Sequence, residues 1–281
     1  MLNGGTSPLR RLKNRLFTAV VIVIAVISLI PLLDIVGIVA SKGMAAMSWS
    51  LFTTPTAGNA GGLANAIAGT LLLVALALFL AAPLGIIGGL YLSEFGTTRT
   101  ASLLRQGVSV LNGVPTIVLG YFGYVVMVQW LGWGFSPLAG SIALTMVMLP
   151  YITQASEIAM RRVPDAWREA SLALGATPAT TAFRIVLRRS VPGIITGVII
   201  ALGRAMGETA PLIYTAGWSN YMPTAQLTHS PVGYLTYVIW TFIEEPFASA
   251  HALAYAAALV LVLMILILNV TARLVFGRRA L

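Results

Sequence analysis

The chain has no cysteine, which excludes a disulfide framework, a thiolate metal site and a cysteine nucleophile. It has only two histidines, His229 and His251, and eight acidic residues, so the raw material for a metal site is thin. Charge of any kind is scarce. Charged residues make up 9% of the sequence, against roughly 25% in a soluble domain. A surface so poor in charge does not stay dissolved in water, so lipid is the expected solvent for most of the chain. A phosphate-cradling G-x-x-x-x-G-K-[ST] loop is also absent, which leaves no visible means of using ATP. The chain is expected to be a non-catalytic subunit with no cofactor of its own.

What the sequence does hold is apolar: 58% of its 281 residues are hydrophobic. A helix needs about 20 mainly apolar residues to cross the hydrocarbon core. Six stretches qualify: Leu16–Val39, Gly69–Leu92, Val108–Trp130, Leu138–Ala159, Val191–Ala216 and His251–Phe276. The first is interrupted by Pro31 and Asp34 and has no small-residue cleavage site after it, so it reads as a retained anchor rather than a signal peptide. Asp34 reads as a helix-end residue. The expected fold class is an all-α membrane protein with six transmembrane helices.

The net charge of +9 could suggest nucleic acid, but the positions of the basic residues argue otherwise. With the N-terminus in the cytoplasm, fifteen of the seventeen fall on cytoplasmic segments: Arg10, Arg11, Lys13 and Arg15; Arg99 and Arg105; Arg161, Arg162, Arg168, Arg184, Arg188 and Arg189; and Arg273, Arg278 and Arg279. Lys42 falls outside and Arg204 lies within a span. This is the positive-inside distribution, so both termini are expected in the cytoplasm and no nucleic-acid partner is expected. The outer loops, residues 41–68 and 217–250, are rich in Gly, Pro, Thr and aromatics. Trp130, Trp133, Trp218 and Trp240 near outer span ends read as interfacial anchors. The resulting organisation is a cytoplasmic N-terminal segment (1–15), a transmembrane domain (16–276) with its core at 69–276 and a cytoplasmic loop at 160–190, and a cytoplasmic tail (277–281).

That cytoplasmic loop is longer than a plain connection requires. Pro164 suits a first helical turn, Ala166–Leu174 is a good helix-forming run, and Gly175 can supply a left-handed end. Thr177 then caps a second helix with Pro178 at its first position. The short helix carries Trp167, Leu172 and Leu174 on one side, with Arg168 and Glu169 on the other. Such a helix either lies flat on lipid or enters a groove on a partner protein.

Glu169-Ala170-Ser171, three residues, Gly175, nine residues, Ile185, one residue and Leu187 together resemble the EAA loop of ABC importer permeases. The family pattern ends in Leu-Pro, whereas Leu187 is followed here by Arg188 and a proline arrives only at Pro192. The resemblance implies the type I importer permease (MetI-like) fold. It also implies that Glu169, Ala170, Ser171 and Gly175 couple to a separate ATPase, which would hold the ATP and Mg.

The fifth stretch contains Gly203-Arg204-Ala205-Met206-Gly207-Glu208-Thr209-Ala210-Pro211. Arg204 falls near the middle of the predicted span, where an arginine costs about 3 kcal/mol on insertion scales. Glu208 is one turn further on and within reach of it. Gly203 and Gly207 form a small-x-x-x-small pair suited to close helix approach. The charged pair is either a structural strut or an anion site. An intramembrane ionisable group favours the second reading, and the planar guanidinium fork suits a tetrahedral oxyanion. A fixed carboxylate would accept the proton that phosphate still carries near neutral pH and would repel sulfate.

The same segment, with Leu111-Asn112-Gly113-Val114-Pro115-Thr116 and Asn65-Ala66-Ile67-Ala68-Gly69-Thr70, is similar to the PstA-type phosphate permeases. That resemblance implies a pathway containing Arg204, Glu208, Thr209 and Asn112, although the residues around Asn112 read equally as packing or gate elements. The implied partners are a PstC-type permease subunit, a PstB-type ATPase dimer, a PstS-type extracytoplasmic phosphate-binding protein, phosphate and membrane lipid. The implied location is a bacterial or archaeal plasma membrane, the inner one in a Gram-negative cell. The alternatives are a permease for molybdate, sulfate or a phosphonate, and an ion-coupled secondary transporter. The latter would show inverted repeats and discontinuous helices, and no convincing internal repeat is present.

Overall fold

The computed structural model describes residues 8–276. The expected tail at 277–281, with Arg278 and Arg279, lies outside them, as do the first seven residues of the N-terminal segment. The chain is helical almost throughout. α1 (Pro8–Ala45) and the short α2 (Trp49–Thr53) are followed by a two-stranded antiparallel ribbon, β1 (Thr56–Ala57) and β2 (Ala60–Gly61). Next come α3 (Ala64–Glu94), α4 (Arg99–Gly113), α5 (Thr116–Gly123, extended in π-helical form over Tyr124–Trp130), α6 (Pro137–Arg161) and α7 (Asp165–Ala173). α8 (Pro178–Thr180) runs through a π-helical stretch (Thr181–Val186) into α9 (Leu187–Met206), and α10 (Ala210–Thr215), α11 (Leu235–Phe242) and α12 (Ala248–Phe276) complete the chain.

Among the described residues, five helices are long and apolar enough to cross a membrane: α1, α3, α6, the α8–α9 run and α12. α4 and α5 together can form a sixth crossing, bent by 100°. The expected straight span Val108–Trp130 is therefore corrected to two helices. Pro115 is the cause. It lacks a donor and confines Val114 to extended backbone, φ −75° and ψ 128°, so α4 must end there.

Between helices, small residues set the spacing. A Cβ on Gly85 would come within 2.7 Å of Ile152 Cγ2, and one on Gly89 within 2.5 Å of Ser156 Cβ, so α3 and α6 lie almost backbone to backbone. Ser141 Oγ donates to Leu73 O (3.1 Å) and Thr145 Oγ1 to Ala77 O (3.3 Å) across the same seam. Lipid offers no hydrophobic drive between helices, so close packing and such hydrogen bonds must hold them together. α9 lies on another part of α6, where a Cβ on Gly193 or Gly197 would stand 2.7 Å or 2.2 Å from the Cβ of Ala159 or Ala155. Gly203 and Gly207 were expected to make such a seam and do not. Gly203 meets Ile265 only at ordinary contact distance, and Gly207 meets only the carbonyls of its own helix. The buried centre, around Leu73, Leu144, Met148 and Ile152, is completed by Ala257 and Val260 of α12.

α1 stands apart. Its apolar side chains are exposed along nearly its whole length, which suits a helix solvated by hydrocarbon, and it meets α12 where Gly43 lies against Tyr255 and Leu259. Asp34 lies well inside this helix rather than at its end. At the end opposite the arginines, Asn65 is fully buried. Its Oδ1 accepts from Thr56 N and Oγ1 (both 3.0 Å), and its amide donates to Ser219 O (2.9 Å). Trp218 is no free anchor there: it stacks on Tyr237, ring centroids 4.5 Å apart. Trp130 and Trp240 remain exposed.

Candidate functional site

Pro211 also shapes the site. Its ring would collide with the carbonyl of Gly207, four residues earlier, in a continuous helix. α9 accordingly ends at Met206 and α10 starts at Ala210. The expected span Val191–Ala216 is thus broken, and Arg204 sits in the last turn of α9 rather than mid-helix. A cation there complements the unpaired carbonyls of the helix end. α5 supports the break from the side: Gly120 lies so close to the Pro211 backbone that a Cβ would fall 2.6 Å from Pro211 Cα.

The guanidinium carbon of Arg204 lies 4.6 Å from the centre of the Tyr151 ring, a cation–π contact worth about 0.5–2 kcal/mol. Arg204 Nε is 3.7 Å from Glu208 Oε1. That is attraction without a formed hydrogen bond. Glu208 is largely buried while the Arg204 side chain is 47% exposed. Among the described residues, no acceptor engages the terminal nitrogens of Arg204. A strut would be expected to hold both partners tightly, whereas this fork remains open to a ligand. Arg204 and Tyr151 line a narrow crevice with Asn112, Thr116 and Pro150, so the structure brings Asn112 to Arg204. Thr209 is not in that crevice. It lines a different cavity of about 340 Å³, with Trp240 and Tyr255. Thr236 Oγ1 holds the Glu208 carbonyl at 2.9 Å.

Tyr151 carried no signal in the sequence, because its contact with Arg204 spans distant parts of the chain and only the α6–α9 packing creates it.

At the basic end, α7 spans Asp165–Ala173, with Pro164 preceding it in extended backbone, and Gly175 adopts φ +82°. Thr177 Oγ1 accepts from Thr180 N (3.2 Å), forming the expected cap. Ser171 Oγ and Thr181 Oγ1 are 2.9 Å apart, tying α7 to the return segment. Glu169 and Ala170 are exposed. Trp167, Leu172 and Leu174 are 46%, 47% and 90% exposed, an apolar edge that among the described residues is partly covered only at Trp167, where the Arg189 guanidinium lies over the ring. Arg168 does not face away as expected. It is drawn inward to Glu94, to the Asp165 carboxylate and to the carbonyls of Met160 and Val163. Nearby, Glu157 joins Arg105 and Arg161, each at 2.9 Å. The Arg168–Glu94 and Arg105–Glu157 pairs join residues far apart in sequence, which no spacing rule reveals, whereas Glu157–Arg161 and Asp165–Arg168 are local helix pairs.

Residues 81–280 match the family described as binding-protein-dependent transport system inner membrane component. The chain belongs to this family. Among its relatives, the phosphate transport system permease protein PstA 2 of Mycobacterium bovis is 48% identical over 76% of this chain and 71% of its own length. The corresponding PstA protein of Yersinia pestis is 39% identical over 96% and 92%. A chain from a bacterial ABC transporter that imports the acidic polysaccharide alginate superposes with a TM-score of 0.65 at 19% identity, covering 93% of this chain and 96% of that one. The fold is that of the type I importer permeases. This permease is a multi-pass plasma-membrane protein and a non-catalytic transport subunit. Family membership sets aside the secondary-transporter alternative, even though broken helices are present in two of its spans.

Proposed function

We propose that this permease forms half of the translocation pathway of an ATP-driven phosphate importer, with Arg204 as the anion-binding group. The observation that carries this reading is the open guanidinium of Arg204, held on the Tyr151 ring at a helix break, with its terminal nitrogens unengaged. Such a fork suits two oxygens of a tetrahedral anion. Glu208, 3.7 Å from Arg204 Nε, supplies an acceptor for the proton of hydrogen phosphate and disfavours sulfate. Asn112 adds an amide able to donate or accept at the same crevice, and Thr209 contributes from the neighbouring cavity as the helix break moves. The names of the PstA relatives support phosphate as the cargo.

With both termini in the cytoplasm, as the arginine distribution favours, α7 faces a cytoplasmic ATPase. Its exposed Trp167, Leu172 and Leu174 edge then fits a cleft in that subunit, in the helix-in-groove manner. Glu169, Ala170, Ser171 and Gly175 set the shape of the docking element. A PstB-type ATPase pair, a PstC-type second permease and a PstS-type binding protein complete the assembly, and ATP and Mg reside on the ATPase.

The test is uptake of labelled phosphate into vesicles containing all four components. ATP-dependent uptake is expected, with Arg204→Ala nearly abolishing it while the complex still assembles. Unchanged uptake by that variant would overturn the anion-site assignment. Competition by unlabelled molybdate, sulfate and phosphonate tests the cargo.

A further inference from the structure

The two helices that carry Tyr151 and Arg204 also form a second, separate groove. Along α9, Arg204, Ile200, Gly197, Gly193 and Arg189 follow one another at steps of three or four residues, so they share one face. Tyr151, Ala155, Ile158 and Arg162 do the same on α6. Gly197 and Gly193 lie directly against Ala155 and Ala159, and these small residues leave a trough above the seam. The trough is about 660 Å³ in volume, with apolar walls at Ile158 and Ile200, and Arg162 and Arg189 line its basic end. Both arginines are exposed. Among the described residues, neither has a carboxylate within 4.0 Å, although Arg105, Arg161, Arg168 and Arg204 all do.

From this juxtaposition we infer that Arg162 and Arg189 form a second binding station for a phosphate anion, at the basic end of a trough on the same α6 and α9 faces that carry Tyr151 and Arg204. The inference rests on the proposed anion role of Arg204. Two unpaired guanidiniums at the end of an apolar trough focus positive potential there and offer bidentate donors to a tetrahedral dianion. Arg189 is also tied to the coupling element: its guanidinium carbon lies 4.3 Å from the centre of the Trp167 ring on α7. A displacement of α7 by the ATPase would move this arginine and alter the station, linking release of the anion to the motor's state.

A phospholipid headgroup carries the same chemistry, so the experiment separates the two sources. The complete membrane complex, without its binding protein, is purified in phosphorus-free maltoside and equilibrated with radiolabelled orthophosphate. We expect Arg162→Gln/Arg189→Gln to lose about one bound phosphate per permease chain relative to wild type, and Arg162→Lys/Arg189→Lys to bind that phosphate more weakly than wild type but measurably, since an ammonium keeps the charge and loses the fork. Arg204→Gln should lose a separate increment. In vesicles, the double glutamine variant should lower maximal uptake about fivefold with an unchanged KM for loaded binding protein, since the step affected follows loading. Equal phosphate binding by wild type and the double glutamine variant would overturn the station. If Arg204→Gln still lost its own increment, the Arg204 reading would survive. Loss by the double variant with no loss by Arg204→Gln would sink the Arg204 reading and leave the station standing. In a parallel sample given phosphatidylglycerol, retained lipid phosphorus is measured. A drop there in the double variant, with orthophosphate binding unchanged, would assign the arginines to lipid and overturn the inference.

Discussion

Arg168 donates from Nε to one carboxylate oxygen of Glu94 at 3.1 Å and from Nη2 to the other at 3.0 Å. The residues are 74 positions apart, and their side chains are 18% and 12% exposed. The contact latches the short helix α7 to the end of α3, so a push on one is carried to the other as a rigid unit. The hydrogen bond to Glu94 raises the arginine's pKa above its ordinary value, against the opposing effect of burial. A raised pKa on a cation adds stability that persists at every pH below the ordinary arginine value, so the arginine side of this latch does not titrate near neutrality.

Glu94→Gln is expected to weaken the latch by about 2 kcal/mol, since it removes the buried, two-point carboxylate partner of the guanidinium and leaves only the exposed Asp165 as its anion. The complex should still insert, and its ATPase activity should become less dependent on loaded binding protein. Thermal unfolding of the purified complex, alongside ATPase assays with and without binding protein, checks both. Coupling equal to wild type would show that α7 transmits force by another route.

At the anion site, Arg204→Lys should reduce phosphate uptake about tenfold or more, because a point charge replaces a planar fork. Tyr151→Phe should transport nearly as well as wild type, because the contact uses the ring face. Tyr151→Leu should lose about threefold to tenfold, in line with a cation–π contact of about 0.5–2 kcal/mol. Initial uptake rates in vesicles decide. A defective Tyr151→Phe together with a normal Tyr151→Leu would reverse the role assigned to the ring.

Gly175 occupies the left-handed region at φ +82°, with open space where a Cβ would stand. A side chain there meets no neighbour, so the penalty is purely conformational, about 1–2 kcal/mol. Gly175→Ala should weaken ATPase co-purification, and Gly175→Asn should be milder, since asparagine tolerates this conformation better. Equal effects of the two would point to the space around the residue instead.

Gly69 approaches the outer loop so closely that a Cβ would lie 1.9 Å from the carbonyl oxygen of Gly233. Backbone cannot yield as a flexible side chain does, so Gly69→Ala should destabilise the fold by about 1–3 kcal/mol. Gly107→Ala, in open space on α4, is the control. Melting temperatures in detergent should separate the two.

Much of this architecture was legible along the chain. A membrane helix satisfies its own backbone hydrogen bonds, so each apolar run of sufficient length announces a span without reference to any other. Gly175, Thr177 and Pro178 act through local backbone geometry, and the structure shows them as expected. Pro115 and Pro211 are equally visible, and Asn112, Gly113 and Pro115 do break helix regularity as their residue types suggest, but the 100° bend and the break at Pro211 are not legible, because hydropathy averages over a window and does not register a broken helix. The crevice brings Asn112, Val114 and Thr116, around the first break, to Arg204 in the last turn before the second, which no single window of sequence contains.

The sequence by itself determined the solvent, the candidate crossings, the charge asymmetry of the loops and the turn that ends α7, because each depends on residues within a few positions of one another. Only the tertiary structure decided that Arg168 turns inward to Glu94, that Arg204 rests on Tyr151 with its fork unengaged, and that Gly193 and Gly197, not Gly203 and Gly207, form the close seam. These depend on which faces meet when helices pack, and in lipid that choice is made by side-chain shape and hydrogen bonding across the whole bundle rather than by hydrophobicity read along one strand of sequence.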